Sequence, residues 1–343
     1  MDPYLSALHA ELDLLAARAW ARDVTLGTVF LGGGTPSLLE PEALATVLEH
    51  LRTCWSLAVD AEITVECNPE SVTRERLARY RAAGVTRVSL GVQALDDAVL
   101  ARLGRLHDAR GARAAFDAAR EAGCEDISVD LMYGLPGLTA DTWAAGLEGV
   151  LDWKPDHVSA YALTLDGGSP WGAAGVQDLP DEDTVVAQYW TLTRRTAERG
   201  FEHYEVSNYA RPGHRARHNL GYWRAGEYLA AGPGACGFIG GVRWGNIKPL
   251  SRWRAAIAGG TLPVETAEQL TPRQRLAERL ILGLRTSDGV PVSWLDERMA
   301  RDAALSRRIE EWQRAGHLTL DGDRARLTES GFFVSDALFV DLL

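Results

Sequence analysis

Apolar residues at Leu5, Leu8, Leu12, Leu15, Ala16 and Ala19 recur at the spacing of one helix face and predict a helix from Tyr4 to about Arg22. The run Thr28-Val29-Phe30-Leu31 then predicts a strand, which opens onto Gly32-Gly33-Gly34-Thr35-Pro36-Ser37. Beyond it, strand and helix patterns alternate. Further strands are expected at Ile63–Glu66, Val88–Gly91, Ile127–Met132, Val158–Leu163 and His203–Ser207. Helices are expected at about Pro41–Cys54, Thr73–Ala83, Asp97–Leu103, Ala109–Ala122, Ala140–Leu151 and Glu182–Arg199. Short apolar strands between amphipathic helices mark βαβ units around a parallel sheet. The count fits a barrel or partial barrel, with a doubly wound open sheet as the alternative. A βα series should begin with a strand, yet this one begins with a helix, so a first strand and its loop are expected upstream of Met1.

Around residue 265 the pattern changes. Thr271-Pro272-Arg273-Gln274 reads as a capping box with proline at the first helical position. Helices are expected from there to about Arg285, near Val292–Ala300, and from Ala304 to Ala315, where Gly316 stops the last. His317–Leu320 and Arg324–Thr328 flank Asp321-Gly322, a hairpin signal, before a final helix over about Glu329–Leu342. Three helices and a hairpin resemble a winged helix. No basic recognition helix stands out, so packing or covering is the better expectation than DNA binding.

Charge supports that reading. The 343 residues carry a net charge of −11, which disfavours phosphate backbones and argues against nucleic acid as a partner. No run of about 18 apolar residues suggests a membrane span. Met1-Asp2-Pro3-Tyr4 has neither the basic nor the apolar region of a signal peptide, and the cytoplasm is the expected location. Cys54, Cys67, Cys124 and Cys236 lie too far apart for a closely spaced metal motif, and each is expected to be a small buried hydrophobe.

In parallel α/β folds, ligands bind where strands end, because loops and helix N-termini there offer free N–H groups. Gly33, Gly34 and Thr35 follow the first strand, where glycines let backbone approach a carboxylate or phosphate. Glu66 ends the second strand and Gln93 follows the third; both suit an amino group or ribose hydroxyls. Asp130 lies in the next strand, and Arg105 could grip a carboxylate through its planar fork. Each alone could be a turn, a cap or a surface pair; together on successive strand ends they favour a nucleotide-like ligand.

A second constellation is His214-Arg215-Ala216-Arg217-His218-Asn219-Leu220-Gly221-Tyr222-Trp223. Imidazole, aromatic rings and guanidinium together could hold the iron, the plane and the acid groups of a macrocycle. A buried aromatic corner with a hydrogen-bonded histidine explains the same residues.

These motifs resemble the coproporphyrinogen-III-oxidase-like branch of the radical S-adenosylmethionine (SAM) family, and within it the haem chaperones. The stretches that carry the resemblance are Gly32–Ser37, Glu66-Cys67-Asn68-Pro69, Ser89–Gln93, Leu103–His107, Asp130–Gly137 and His218–Trp223. The resemblance implies a partial (βα)6 TIM-like barrel that lacks its first strand, with a small winged-helix-like α+β domain at the C-terminus. It divides the chain into a barrel over 1–210, a connecting segment with the HNxxYW motif over 211–264, and a C-terminal domain over 265–343. It implies SAM contacts from Gly33, Gly34, Thr35, Glu66, Gln93, Arg105, Asp130 and Thr164. Haem contacts would come from His218, the candidate iron ligand, with Asn219, Tyr222 and Trp223. Cys236 stands where the family commonly has histidine and is either a second haem ligand or a buried packing residue. The family's cysteine triad, which holds a 4Fe-4S cluster, is absent from this sequence and is expected on the loop after the missing first strand. The implied function is a haem chaperone that delivers haem to respiratory membrane proteins, with a homodimer among its partners. An oxygen-independent coproporphyrinogen III oxidase and a ligand-free remnant are the alternatives.

Overall fold

In the computed structural model, which describes residues 2–168, 170–300 and 302–342, the strand signals assemble into one sheet. Its strands are β1 (Thr25–Leu31), β2 (Ser56–Cys67), β3 (Arg87–Gln93), β4 (Asp126–Tyr133), β5 (His157–Ala162), β6 (Glu202–Glu205) and β7 (Asn208–Ala210). Their order is β1-β2-β3-β4-β5-β7-β6. A doubly wound sheet reverses its strand order near the middle; here the first five strands follow in sequence, as in a curled half-barrel. β2 through β5 pair in parallel, with Val88 opposite Ile127 and Val129 opposite Val158.

The intervening helices start where the side chains of Thr73, Asp108, Thr139 and Asp181 each accept an amide hydrogen of the first turn. Each such cap contributes about 1 kcal/mol. Their apolar faces bury Leu77, Phe116, Leu147 and Leu192.

The end of the series departs from the expected single strand at His203–Ser207. The chain turns back at Val206-Ser207, and β7 lies antiparallel between β5 and β6. Glu205 explains the reversal, since its carboxylate accepts the Ser207 N–H at 3.0 Å and the Asn208 side-chain amide. A local side-chain acceptor of this kind offers the backbone a turn in place of a longer strand. The first helix also ends early. It spans Pro3–Ala16, and the chain passes through an extended Arg18 into a single tight turn at Ala19–Ala21.

The chain divides into two compact units. One comprises Met1–Thr28, Glu42–Ala61 and Ala216–Leu343; the other comprises Val29–Pro41 and Glu62–Arg215. In the first, the Glu11 side chain on the opening helix is only 1% exposed by residue. It accepts from the Gly232 amide at 2.7 Å, Asn246 Nδ2 at 2.7 Å and Trp253 Nε1 at 3.0 Å. The same unit holds an antiparallel sheet of β8 (Cys236–Ile239), β9 (Val242–Asn246) and β10 (Val264–Gln269). It also holds β11 (Val290–Pro291), β12 (Leu318–Asp321) and β13 (Arg324–Leu327), in the order β11-β13-β12. With helices Pro272–Leu284, Val292–Met299 and Ala303–Arg314, that small sheet makes the winged-helix-like arrangement. The Thr271–Gln274 capping box is formed. The expected last helix is broken into Glu329–Phe333, Ser335–Phe339 and a tight turn at Val340–Leu342.

Candidate functional site

Several residues expected at the strand ends make polar contacts with Glu66 or with Asn68 two positions on. Gly33 has φ +105°, a conformation that favours glycine, and its amide donates to Glu66 Oε2 at 3.0 Å. Asn68, one residue beyond β2, donates to Thr35 Oγ1 at 3.3 Å and accepts from Arg105 Nη1 at 3.2 Å. Gln93 closes β3 at φ 68° beside a break in the β3–β4 register. A Cβ added at Gly91 would lie 2.9 Å from Gln93 Nε2 and 3.4 Å from Asn68 Oδ1, so the backbone there leaves room for both side chains. A non-glycine residue held in the left-handed region beside a bulge is strain of the kind that concentrates at ligand sites. Asp130 accepts from Ser89 Oγ at 2.9 and 2.8 Å and from Ser128 Oγ at 3.2 Å.

Burial pushes the Glu66 carboxyl above its ordinary range; the nearby Asp130 charge adds to the rise, and the Gly33 amide offsets part of it. Burial likewise pushes Asp130 up against the hydrogen bonds of its serine neighbours. Two neighbouring acids that are costly to ionise form a receptor for a cationic group. Asn68, the link between Thr35 and Arg105, was absent from the expected contacts although it lies inside the Glu66–Pro69 motif. Thr164 follows β5, is exposed, and has no polar partner among the described residues.

The second constellation sits on helix Arg217–Trp223. His218 is half-buried. Its Nδ1 pairs with Thr28 Oγ1 at 2.8 Å and its Nε2 with the Tyr222 hydroxyl at 2.8 Å. Tyr222 stands edge-on to Tyr228, ring centroids 4.6 Å apart, and Tyr228 packs on Phe238 at 6.2 Å. Burial raises the Tyr222 phenol, and Tyr228 and Cys236 raise it further. The expectation of four buried cysteines holds for Cys67 and Cys124 only. Cys54 is half-buried, and Cys236 is exposed because its strand turns it outward while Gly237 packs inward against Trp244. Asn219 is half-buried, and the buried Trp223 Nε1 has no hydrogen-bond partner among the described residues.

The arginines beside this motif are already committed. Arg215 pairs with Glu202 at 3.0 Å, and Arg217 holds Asp60 Oδ2 at 3.1 Å and its carbonyl at 2.6 Å. Tyr222 and Tyr228 instead line a cavity of about 760 Å³, which is also lined by Arg243, Arg275 and Arg279. Nothing in the local sequence around His218 signals these guanidinium groups, because they come from β9 and from helix Pro272–Leu284.

No three cysteines lie together among the described residues, so those present do not fit a 4Fe-4S cluster. Two mixed groups do converge. Asp126, Asp156 and His214 are engaged by Arg87 and Arg120, while Asp13, His50 and Cys54 join through Asp13.

Residues 8–148 match the Radical SAM superfamily and residues 270–334 the HemN C-terminal domain, so the half-barrel is of the radical SAM class. A Mycobacterium tuberculosis protein named Heme chaperone HemW is 42% identical over all of this chain and 86% of its own length. A Bacillus subtilis protein of the same name is 31% identical over 99% of this chain and 90% of its own. The structure of coproporphyrinogen III oxidase (HemN) from Escherichia coli, a radical SAM enzyme, matches with TM-score 0.87 at 22% identity. That match covers 99% of this chain and 82% of the other, and it shows a shared fold. This chain belongs to the HemW group of the radical SAM family.

Proposed function

We propose that this protein is a haem chaperone that takes up haem at His218 and passes it to haem-receiving respiratory membrane proteins. The observation that carries the reading is the imidazole of His218 held between Thr28 and Tyr222, the second of which lines an aromatic-walled cavity. If Nδ1–H donates to Thr28 Oγ1, the Nε2 lone pair faces the Tyr222 hydroxyl, which then donates to it. A second-sphere partner of this type fixes the tautomer of a metal-binding histidine. A cargo iron would take the place of the Tyr222 hydrogen bond, and the phenol would reclaim Nε2 on release. A half-exposed histidine with a ready internal substitute suits a carrier, which must let go of what it binds. Asn219, Tyr222 and Trp223 would flank the cargo, and the exposed Cys236 is the candidate second ligand. The names of the relatives from M. tuberculosis and B. subtilis support the reading.

SAM is assigned to Gly33, Gly34, Thr35, Glu66, Gln93, Arg105 and Asp130, with Thr164 at the margin. The two raised acids would meet its positively charged groups, and Arg105 its carboxylate. In this reading 1–210 carries the SAM site, 211–264 the haem motif and 265–343 the covering domain. No helix among the described residues is long and apolar enough to cross a membrane, so the membrane enters through the recipient.

Transfer is the test. Haem-loaded protein mixed with an excess of an apo-haem protein should lose its haem spectrum as the acceptor gains its own. Haem retained by the loaded protein, or a tetrapyrrole recovered with its propionates decarboxylated, would overturn the chaperone reading in favour of tight storage or of oxidase chemistry respectively.

A further inference from the structure

The cavity beside Tyr222 differs from an ordinary surface cleft in how its charges are used. Its apolar side is built from Tyr222, Tyr228, Phe238 and Leu276, and it carries three arginines and three glutamates. Arg243 is spent on Glu268 at 2.6 Å and Glu278 at 3.1 Å. Glu227 accepts the Gly240 amide at 2.7 Å, and Glu297 is also partnered. Arg275 and Arg279 remain, and neither has an ion-pair partner among the described residues. Arg279 lies over the Trp294 ring at 4.5 Å, which orients the guanidinium without neutralising it. Arg275 lies against Gly241, where an added Cβ would come within 3.3 Å of its Nη1, so a bare backbone keeps its approach clear.

The two arginines stand four residues apart on helix Pro272–Leu284, one turn from each other on one face. A cavity of about 760 Å³ is of the size that holds a small organic molecule. Aromatic and aliphatic walls ask for a flat apolar body, and two unpaired forks a turn apart ask for two carboxylates on one edge.

We propose that this cavity is the seat of the tetrapyrrole, with its two carboxylates gripped by Arg275 and Arg279 and its rings against Tyr222, Tyr228 and Phe238. The proposal rests on the haem reading and gives that reading a specificity device. Arg215 and Arg217, next to the motif in sequence, take no part. The clamp selects dicarboxylate tetrapyrroles and rejects their esters.

The experiment is an equilibrium titration of the full chain, followed by absorbance and tryptophan quenching, with three probes: haem, metal-free protoporphyrin, and haem dimethyl ester. Wild-type protein should bind haem at least tenfold more tightly than the diester, the scale on which two charge-assisted hydrogen-bonded pairs discriminate. R275Q/R279Q should weaken haem and protoporphyrin about 10- to 100-fold and leave the diester unchanged. R215Q should leave all three unchanged. The acid–ester comparison on wild-type protein needs no variant and stands even if R275Q/R279Q folds poorly. Equal affinity for acid and ester, or haem binding indifferent to R275Q/R279Q, would overturn the clamp and leave the haem reading intact. Failure of wild-type protein to bind any of the three would overturn both.

Discussion

Glu11 is buried and Glu66 half-buried, yet both accept a glycine amide, and burial pushes both carboxyls upward. They differ in what else they hold. Glu11 has three donors, from Gly232, Asn246 and Trp253, and its acceptor capacity is used to tie the opening helix to β9 and to helix Leu250–Ala258. Among the described residues Glu66 has one, and its neighbour Asp130 adds a like charge in place of a donor. A saturated buried acid is architecture, whereas an unsaturated one beside a second acid is built for a partner that arrives later.

Removing each acid should separate the two cases. Glu11→Ala strands three buried donors at once, so a loss of about 3–5 kcal/mol is expected. It would be read as a large fall in the denaturant midpoint. A loss below about 1 kcal/mol would mean that Glu11 is not the tie described. Glu66→Gln should do the opposite. It keeps an acceptor for Gly33 and removes a charge that is costly to bury, so stability at neutral pH should hold or rise by up to about 1 kcal/mol. SAM affinity, measured by calorimetry, should fall at least tenfold. Destabilisation with SAM affinity unchanged would move Glu66 to the architectural side.

The raised acids also have a pH signature, to which Glu11 contributes as well. A carboxyl whose folded pKa lies above its unfolded value near 4 binds its proton more tightly in the native state. Its stabilising effect is complete below that unfolded value and is lost as pH rises through the folded pKa. Glu66 and Asp130 should therefore make stability decline as pH climbs from 4 toward neutrality, and Glu66→Gln with Asp130→Asn should flatten that decline. A slope unaltered by the double variant would contradict the raised pair. The smallest effect is expected at Arg217. Its ion pair with Asp60 is exposed, so Arg217→Ala should cost less than about 1 kcal/mol in thermal unfolding and leave haem affinity untouched.

What could be read from the sequence follows the range of the interactions involved. The parallel strands were legible because their apolar runs are local, and the glycine loop because Gly33 needs a backbone that glycine favours. The Pro272–Leu284 helix was legible from its capping box. The reversal at Val206-Ser207 was not, since Glu205 reads as one more strand residue until its carboxylate is seen to hold the turn. β10 was missed because its six residues are all exposed and offer no alternation. Glu11 was missed because its partners lie 221, 235 and 242 positions away. Cavity-lining Arg275 and Arg279 were missed for the same reason, and the nearer Arg215 and Arg217 looked better placed than they are. The motif sets His218 against Tyr222, while Arg215 and Arg217 turn to Glu202 and Asp60.

Haem binding through His218 is the claim on which the functional reading turns, and a Soret titration of wild-type protein beside His218→Ala tests it most directly. Wild-type protein should shift and sharpen the Soret band to saturation, and His218→Ala should lose that iron-ligation signature while keeping its fold and its affinity for metal-free protoporphyrin. No shift in the wild type, or one that survives His218→Ala unchanged, would contradict it.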